Sequence, residues 1–400
     1  LVLDLGDEEG DGEADMSVTS AADLETVRRE QFPVTREWTW FNTATFGPLP
    51  VCNVETQTAF LRGMSLGESA EGVGHWWEGA DSVRAKVGQL INCNPDDVAF
   101  LKSTGEGVSL VALGLDWRPG DEVVTYDQEF PSDVYPWLAL ERKGVVTRFV
   151  RDAGRFRFEA EDVEKLIGPR TRVVCLSLVN NNNGFRAPIE QIAEVCRARG
   201  VWLVVDAVQA AGCMTVDAGS LGADLIAAHG YKTLCAGYGI AFCYVSPALR
   251  DAIEVPEPGW KSIEQVTNIT RQTDYKLEYA VSARRYESGV QNISGMYGMG
   301  ASIDLFSSVG LQTINDHVLG LSGMVTDRLE EKGYRVVSSR RPGEISCIVS
   351  VTHPRHEAKQ VEAALSRARV ACAVREGRVR ISSHLFNNED DVAHLVDALP

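Results

Sequence analysis

The stretch Val201-Trp202-Leu203-Val204-Val205-Asp206-Ala207-Val208-Gln209 decides the reading of this chain. Its apolar run has no alternation with polar residues, which suits a strand buried on both faces, and it ends in an acid. Twenty-six residues beyond Asp206 comes Lys232, in Ala228-His229-Gly230-Tyr231-Lys232-Thr233. A Lys amine can form a Schiff base with an aldehyde. An Asp carboxylate can keep a pyridine nitrogen protonated, so that the ring draws electrons. Gln209 can donate to a phenolic oxygen of the same ring. Together these residues point to pyridoxal 5'-phosphate as the cofactor.

Around this stretch, residues 80 to 250 alternate strand-like and helix-period segments. Strands are expected at 97–101, 122–126, 145–150, 173–178, 202–206, 225–227 and 239–245, with helices at 75–91, 103–113, 137–142 and 188–199. That order implies βαβ units and a mainly parallel sheet, an α/β fold whose ligands lie beyond the carboxyl ends of the strands. Residues 254–273 are irregular and fit a loop over the site. A long helical stretch at 294–333 then leads into strands at 334–338, 345–351 and 378–382. With helices at 356–368 and 389–399, these form a smaller α+β C-terminal domain. The expected division is an acidic extension at 1–20, a large domain at 21–290 whose first residues pack on the small domain, and a small domain at 291–400.

Composition narrows the function. The chain has 400 residues and a formal charge of −17, and seven acids fall within residues 1–15. That start has too few large apolar residues to offset the entropy of ordering, so a solvated, disordered extension is expected, with Met16 a candidate natural start. The acidic balance favours neither nucleic acid nor an anionic membrane surface as a partner. No apolar run approaches the ~20 residues that span a bilayer. Nine cysteines without Cys-x-x-Cys spacing read as buried reduced thiols of a cytoplasmic protein.

Four further segments fit a phosphorylated pyridine aldehyde. Ser103-Thr104-Gly105-Glu106-Gly107-Val108-Ser109 opens a helix, where a small Gly-containing turn lets backbone N–H groups approach phosphate; such turns also serve structure alone. Phe130, in Asp127-Gln128-Glu129-Phe130-Pro131-Ser132, either stacks on the pyridine face or belongs to the core. In Asn180-Asn181-Asn182-Asn183-Gly184 one amide could reach the phenolic oxygen, or the run is simply a loop. Arg380, in Val379-Arg380-Ile381-Ser382-Ser383-His384, either clamps a substrate carboxylate with its fork or lies at the surface.

These pieces, in this order, resemble the class V aminotransferase family of fold-type I pyridoxal-phosphate enzymes, which includes cysteine desulfurases, kynureninase and isopenicillin-N epimerase-like enzymes. The resemblance runs from Phe41-Asn42-Thr43-Ala44-Thr45-Phe46-Gly47 almost to the C-terminus, through Asp206–Gln209, His229–Lys232, Tyr286-Glu287-Ser288-Gly289 and Arg380–His384. It implies that Lys232 is the Schiff-base lysine and proton shuttle and that Asp206 pairs with the pyridine nitrogen. Gln209 and Asn181 would hold the phenolic oxygen, and Phe130 would stack on the ring. The phosphate would sit on Gly105, Glu106 and Gly107 with His229 and Tyr231. Arg380 would clamp the α-carboxylate, with Asn42 and Arg186 as further substrate contacts.

The resemblance also implies a homodimer whose sites are completed around Tyr286–Asn292. There the family's Gly-Thr reads Gly289-Val290, and Val cannot donate, so Gln291, Asn292 or Trp260 is expected to substitute. Cys372, on a strand leading into Val374-Arg375-Glu376-Gly377-Arg378, is expected to pack rather than to carry a persulfide, which disfavours desulfurase activity. Arg375 and Arg378 could help bind an acidic substrate, though solvated arginines are commoner. The expected activity is Cα chemistry on an amino acid or its conjugate: transamination or β-elimination of a sulfur group first, epimerisation or decarboxylating deamination as alternatives. A non-catalytic regulatory protein of this fold would be expected to lack Lys232 or Asp206, and both are present.

Overall fold

The computed structural model describes residues 21–67, 73–264, 273 and 275–400. The acidic extension at 1–20 and residues 265–272 of the expected loop lie outside them. Thirteen strands occur among the described residues. They are β1 (Thr39–Trp40), β2 (Val98–Leu101), β3 (Glu122–Tyr126), β4 (Val146–Val150), β5 (Thr171–Ser177), β6 (Trp202–Asp206) and β7 (Leu225–His229), then β8 (Ala241–Val245), β9 (Arg335–Val336), β10 (Ile348–Thr352), β11 (Val370–Ala371), β12 (Ala373–Arg375) and β13 (Arg378–Ser382).

Seven strands form the large sheet in the order β2-β8-β7-β6-β5-β3-β4. Strands β4, β3, β5, β6 and β7 are parallel to one another, and β8 pairs antiparallel with both β7 and β2. The apolar runs of β3 and β6 are buried because one core covers each face of the sheet. On one side Val124, Val174, Leu203, Val205 and Ile226 pack with the helices Val73–Leu90 and Ile293–Val309. On the other Val123, Val173, Val204 and Leu225 meet the helix Thr104–Gly114. Gly107 on that helix is required by packing, since a Cβ there would lie 2.9 Å from the Cβ of Ala227.

The second sheet, β12-β13-β10-β9, is antiparallel and sorts its side chains by face. Arg375 pairs with Arg378 and Ala373 with Arg380, so these residues share one face with Ser382. Val379 and Ile381 point the other way, with Val349 and Val351, into a core built on Leu321, Val325, Leu365 and Leu395. One face of this sheet is therefore a core, while the other turns arginines and serines away from it.

The chain crosses between the cores at both ends. Arg28 donates to the Phe386 carbonyl and to Asp391, and β1 lies parallel to β11. The stretch expected as one helix at 294–333 is two, Ile293–Val309 and Leu311–Glu331, because Gly310 adopts φ 93° between them. Met296, Met299, Ile303 and Phe306 of the first belong to the large core. The second starts there with Ile314 and Val318 and continues into the small one with Leu321 and Val325. The first helix beyond the expected division at 291 thus packs on the larger core, and the second bridges the two. The segment at 137–142 is a short α-turn, Tyr135–Leu138, followed by a 3-10 helix, Ala139–Lys143. The helix Val51–Leu66 was not foreseen, since its apolar residues do not fall on one buried stripe: Val54, Leu61, Met64 and Leu66 are exposed.

Candidate active site

The carboxyl ends of β5, β6 and β7 open into a cavity. Its walls include Ser103, Thr104, Gly105, Phe130, Ser132, Ser177, Asn181, Asp206, Gln209, His229, Tyr231 and Lys232. Asp206 ends β6 beside Ser177 of β5, and its Oδ1 accepts the Val208 N–H at 2.7 Å. Lys232 is buried, with Nζ 5.4 Å from the ring centroids of both Phe130 and Tyr231. Burial pulls its amine down to about 8, against the attraction of Asp206, and the charges of Arg380 and Arg375 push the same way as burial. The turn that holds Lys232 is braced from the N-terminal segment. Gly47 donates to the Tyr231 carbonyl at 2.8 Å, and a Cβ at Gly47 would lie 2.1 Å from the Lys232 oxygen.

A second carboxyl adjoins Asp206, and the sequence held no signal for it. Asp133 is fully buried, and neither of its oxygens receives an N–H or O–H donor. Burial, then repulsion from Asp206 and Glu129, drives it well above the carboxylate range. Burial raises Asp206 as well, against the attraction of the Lys232 charge. Glu129 is raised to about 7 by burial, although the Ser177 hydroxyl and N–H both donate to it.

The helix Thr104–Gly114 points its N-terminus at the cavity. Ser103 caps it by accepting the Glu106 N–H at 3.2 Å. The Glu106 carboxylate turns back to the Lys102 N–H, and Gly107 faces β7. Of the expected phosphate turn, Gly105 lines the cavity, whereas Glu106 and Gly107 are spent on the cap and on packing. Thr104, which the sequence reading passed over although it quoted the run, lines the cavity with a buried, unpartnered hydroxyl.

The Asn run divides its work. Asn180 donates to the Gln128 carbonyl and Asn183 to the Phe156 carbonyl, closing the turn. Asn181 faces the cavity with Oδ1 unpartnered, and its backbone carbonyl accepts from Arg380 at 2.7 Å. Gln209 donates to the Ala44 carbonyl and leaves Oε1 buried without a partner. His229 is pulled down to about 4 by burial and by the Lys232 charge, so it is neutral at pH 7; its ring packs edge-on against Tyr231.

Arg380 is 1% exposed and reaches Asn181 and the Thr45 hydroxyl, and Thr45 donates to Asn42. Asn42 thus stands behind Thr45. Arg186 lies elsewhere: its guanidinium pairs with Glu190 at 2.7 Å and bonds the Gly343 carbonyl, so the geometry does not bring it to the cavity. Trp260, Gln291 and Asn292 do not line the cavity of their own chain either. Asn292 caps the helix Ile293–Val309 by accepting the Gly295 N–H.

Pyridoxal phosphate suits these residues. The cavity combines an amine, a carboxylate and an aromatic face with three orphaned polar atoms, Thr104 Oγ1, Asn181 Oδ1 and Gln209 Oε1. Buried polar atoms without partners are uncommon in a folded chain, and here they converge where a polar ligand would satisfy them. Among the described residues no metal-binding cluster occurs. No described helix is long and apolar enough to cross a membrane.

Comparisons with known proteins agree. The aminotransferase class-V family model matches residues 65–395. The chain is 28% identical over 390 residues to a probable cysteine desulfurase of Pyrococcus abyssi, covering 93% of this chain and 96% of that one. It is 28% identical over 325 residues to the uncharacterized aminotransferase YcbU of Bacillus subtilis, covering 80% and 83%. Among solved structures, the apo cysteine desulfurase of Thermococcus onnurineus superposes with a TM-score of 0.84 at 26% identity, over 95% of this chain and 97% of that one. The cystine C-S lyase C-DES, solved with cysteine persulfide, shares the fold with a TM-score of 0.84 at 24% identity, over 92% and 98%. With the match spanning most of the chain, the protein belongs to the aminotransferase class-V family and is a pyridoxal-phosphate-dependent enzyme.

Proposed function

We propose that this enzyme removes the α-proton of an amino acid whose α-carboxylate rests on Arg380, and then either transfers the amino group or expels a β-substituent. The observation that carries the reading is Arg380 itself. It is buried beside the cavity, its field reaches Lys232, and no described acid pairs with it. When bound, the cofactor supplies an electron sink for the pair left at the α-carbon.

The chain's own residues do the rest. Lys232, with its amine lowered to about 8, can give up and take back a proton at Nζ near neutral pH. Asp206, at the carboxyl end of β6, would face the ring nitrogen. Thr104, the Gly105 backbone, His229 and Tyr231 would hold the phosphate, and Asn181 and Gln209 the phenolic oxygen. Cys372 is unsuited to carrying sulfur. It is packed into the small core, and burial pushes its thiol up to about 12, away from the reactive thiolate.

A homodimer in a reducing compartment, the cytoplasm, completes the proposal. All nine thiols are free. Large apolar side chains exposed at Tyr238, Trp260, Tyr275, Leu277, Val281 and Val290 would find cover against a second subunit. The likeness of Phe41–Gly47 and Glu129–Ser132 to the isopenicillin-N epimerase-like branch supports a place in specialised metabolism. The test is to mix the cofactor-loaded enzyme with amino acids and S-conjugated cysteines, without a keto-acid acceptor, and to quantify products by mass spectrometry. Pyridoxamine phosphate with a matching keto acid means amino transfer. Pyruvate, ammonia and a thiol mean β-elimination. Neither product, with racemised or decarboxylated substrate instead, overturns the reading.

A further inference from the structure

We infer that Arg375 forms, beside Arg380, a subsite for a second carboxylate, so that the substrate is an amino acid with an acidic side chain. The inference rests on the reading of Arg380 as the α-carboxylate clamp and specifies that substrate's other end.

The geometry comes from the β12–β13 hairpin. Ladder pairing sets Arg375 opposite Arg378, and Arg380 follows two residues on, so all three lie on the face turned away from the small core. Across from Arg380 stands Ala373, whose methyl leaves room beside the guanidinium. Arg375 and Arg380 then converge on one atom: Thr45 Oγ1 accepts from Arg380 Nη2 at 2.7 Å and from Arg375 Nη2 at 3.2 Å. That hydroxyl also donates to Asn42 Oδ1 at 2.6 Å, which uses up its hydrogen and both lone pairs. Thr45 orients both forks but offers neither of them any charge.

The remaining donors are unspent. Each guanidinium carries five N–H groups. Arg375 uses its described bonds on Thr45 and the Val374 carbonyl, and Arg380 uses its own on Thr45 and the Asn181 carbonyl. Arg380 Nε is buried with no partner. Among the described residues no carboxylate lies within ion-pair distance of either. The neighbouring acid Glu376 is exposed on the hairpin turn.

Two cations held against one neutral oxygen repel each other, and the repulsion is felt. Burial first and then Arg375 lower Arg380 to about 9, and both arginines act on Lys232 and Tyr231. A single carboxylate on Arg380 leaves the Arg375 charge unmatched; a substrate with two carboxylates neutralises both. The planar fork of each guanidinium matches a carboxylate edge.

The test measures binding as well as turnover. Glutarate and succinate are titrated against butyrate on the cofactor-loaded enzyme by calorimetry, with kcat/KM for aspartate, glutamate and S-carboxymethylcysteine compared with asparagine, glutamine and S-methylcysteine. The wild type should prefer the diacids and acidic amino acids by about tenfold or more, the worth of one charge-assisted pair. Arg375→Gln should abolish the preference, and Arg375→Lys should keep most of it. Absence of the preference in the wild type, or its persistence in Arg375→Gln, overturns the inference. Arg380→Gln should weaken both ligand classes; if it weakens neither, the clamp reading itself fails, whatever Arg375 does.

Discussion

Two sets of arginines stand near the junction of the two cores, and the fold treats them in opposite ways. Arg157 is matched by Glu344 and Glu159, Arg341 by Glu159, and Arg186 by Glu190. Arg375, Arg378 and Arg380 have no described carboxylate partner, and nitrogens of the last two are buried without any acceptor. Satisfied guanidiniums join parts of the chain. Of the others, Arg375 and Arg380 meet only neutral oxygens in the described structure, which leaves their charge for a ligand to match. The same contrast separates the well-bonded turn of Asn180 and Asn183 from the orphaned Asn181 between them.

That contrast can be broken at its strongest point first. Lys232→Ala should reduce turnover by about 10³-fold or more and remove the borohydride-reducible yellow absorbance of the loaded enzyme. The cofactor-free protein should melt no lower, because a buried cation with a lowered pKa does not stabilise the fold. A clear drop in melting temperature would place Lys232 among the structural cations. Next, Arg380→Ala should lower kcat/KM by about 10²-fold through KM while the cofactor stays bound. Loss of the cofactor from a folded protein would contradict the clamp.

Arg157→Ala should do the reverse, lowering stability by about 2 kcal/mol with KM unchanged, as followed by thermal melting and steady-state kinetics. The last effect, confined to acid pH, concerns His384, where the two regions meet. Its Nε2 lies 2.8 Å from the carbonyl of Thr233, next to Lys232, while its Nδ1 is orphaned. Burial pulls the ring from an ordinary 6.5 to about 4. The unfolded chain therefore takes up this proton first as pH falls, and stability drops between about 6.5 and 4, at up to about 1.4 kcal/mol per pH unit. His384→Asn should flatten that part of the pH–stability curve, and an unchanged slope would show that other groups set it.

Much of the site was legible because pyridoxal chemistry needs fixed residue types at the ends of recognisable strands. The apolar run 202–206 forms a strand in almost any αβ context, and an acid at its carboxyl end can face only the sheet's ligand edge. Lys232, Asp206, Gln209, Phe130 and Asn181 therefore came together at the cavity as the spacing suggested. Arg186 did not, because a nearby Glu at a helix start captured its charge. Glu106 and Gly107 served the cap and the packing instead of the cavity. Thr104 and Asp133 gave no periodic or motif signal, since what distinguishes them is an empty hydrogen-bonding position.

The sequence by itself determined the fold class and the cofactor and pointed to Lys232, because local patterning and covalent chemistry specify them. Only the tertiary structure decided which arginines were left without acids, that Asp133 is buried beside Asp206, and that Arg375 and Arg380 share Thr45. Those outcomes depend on desolvation and on contacts between residues more than three hundred positions apart, such as Thr45 and Arg380, which no local pattern encodes.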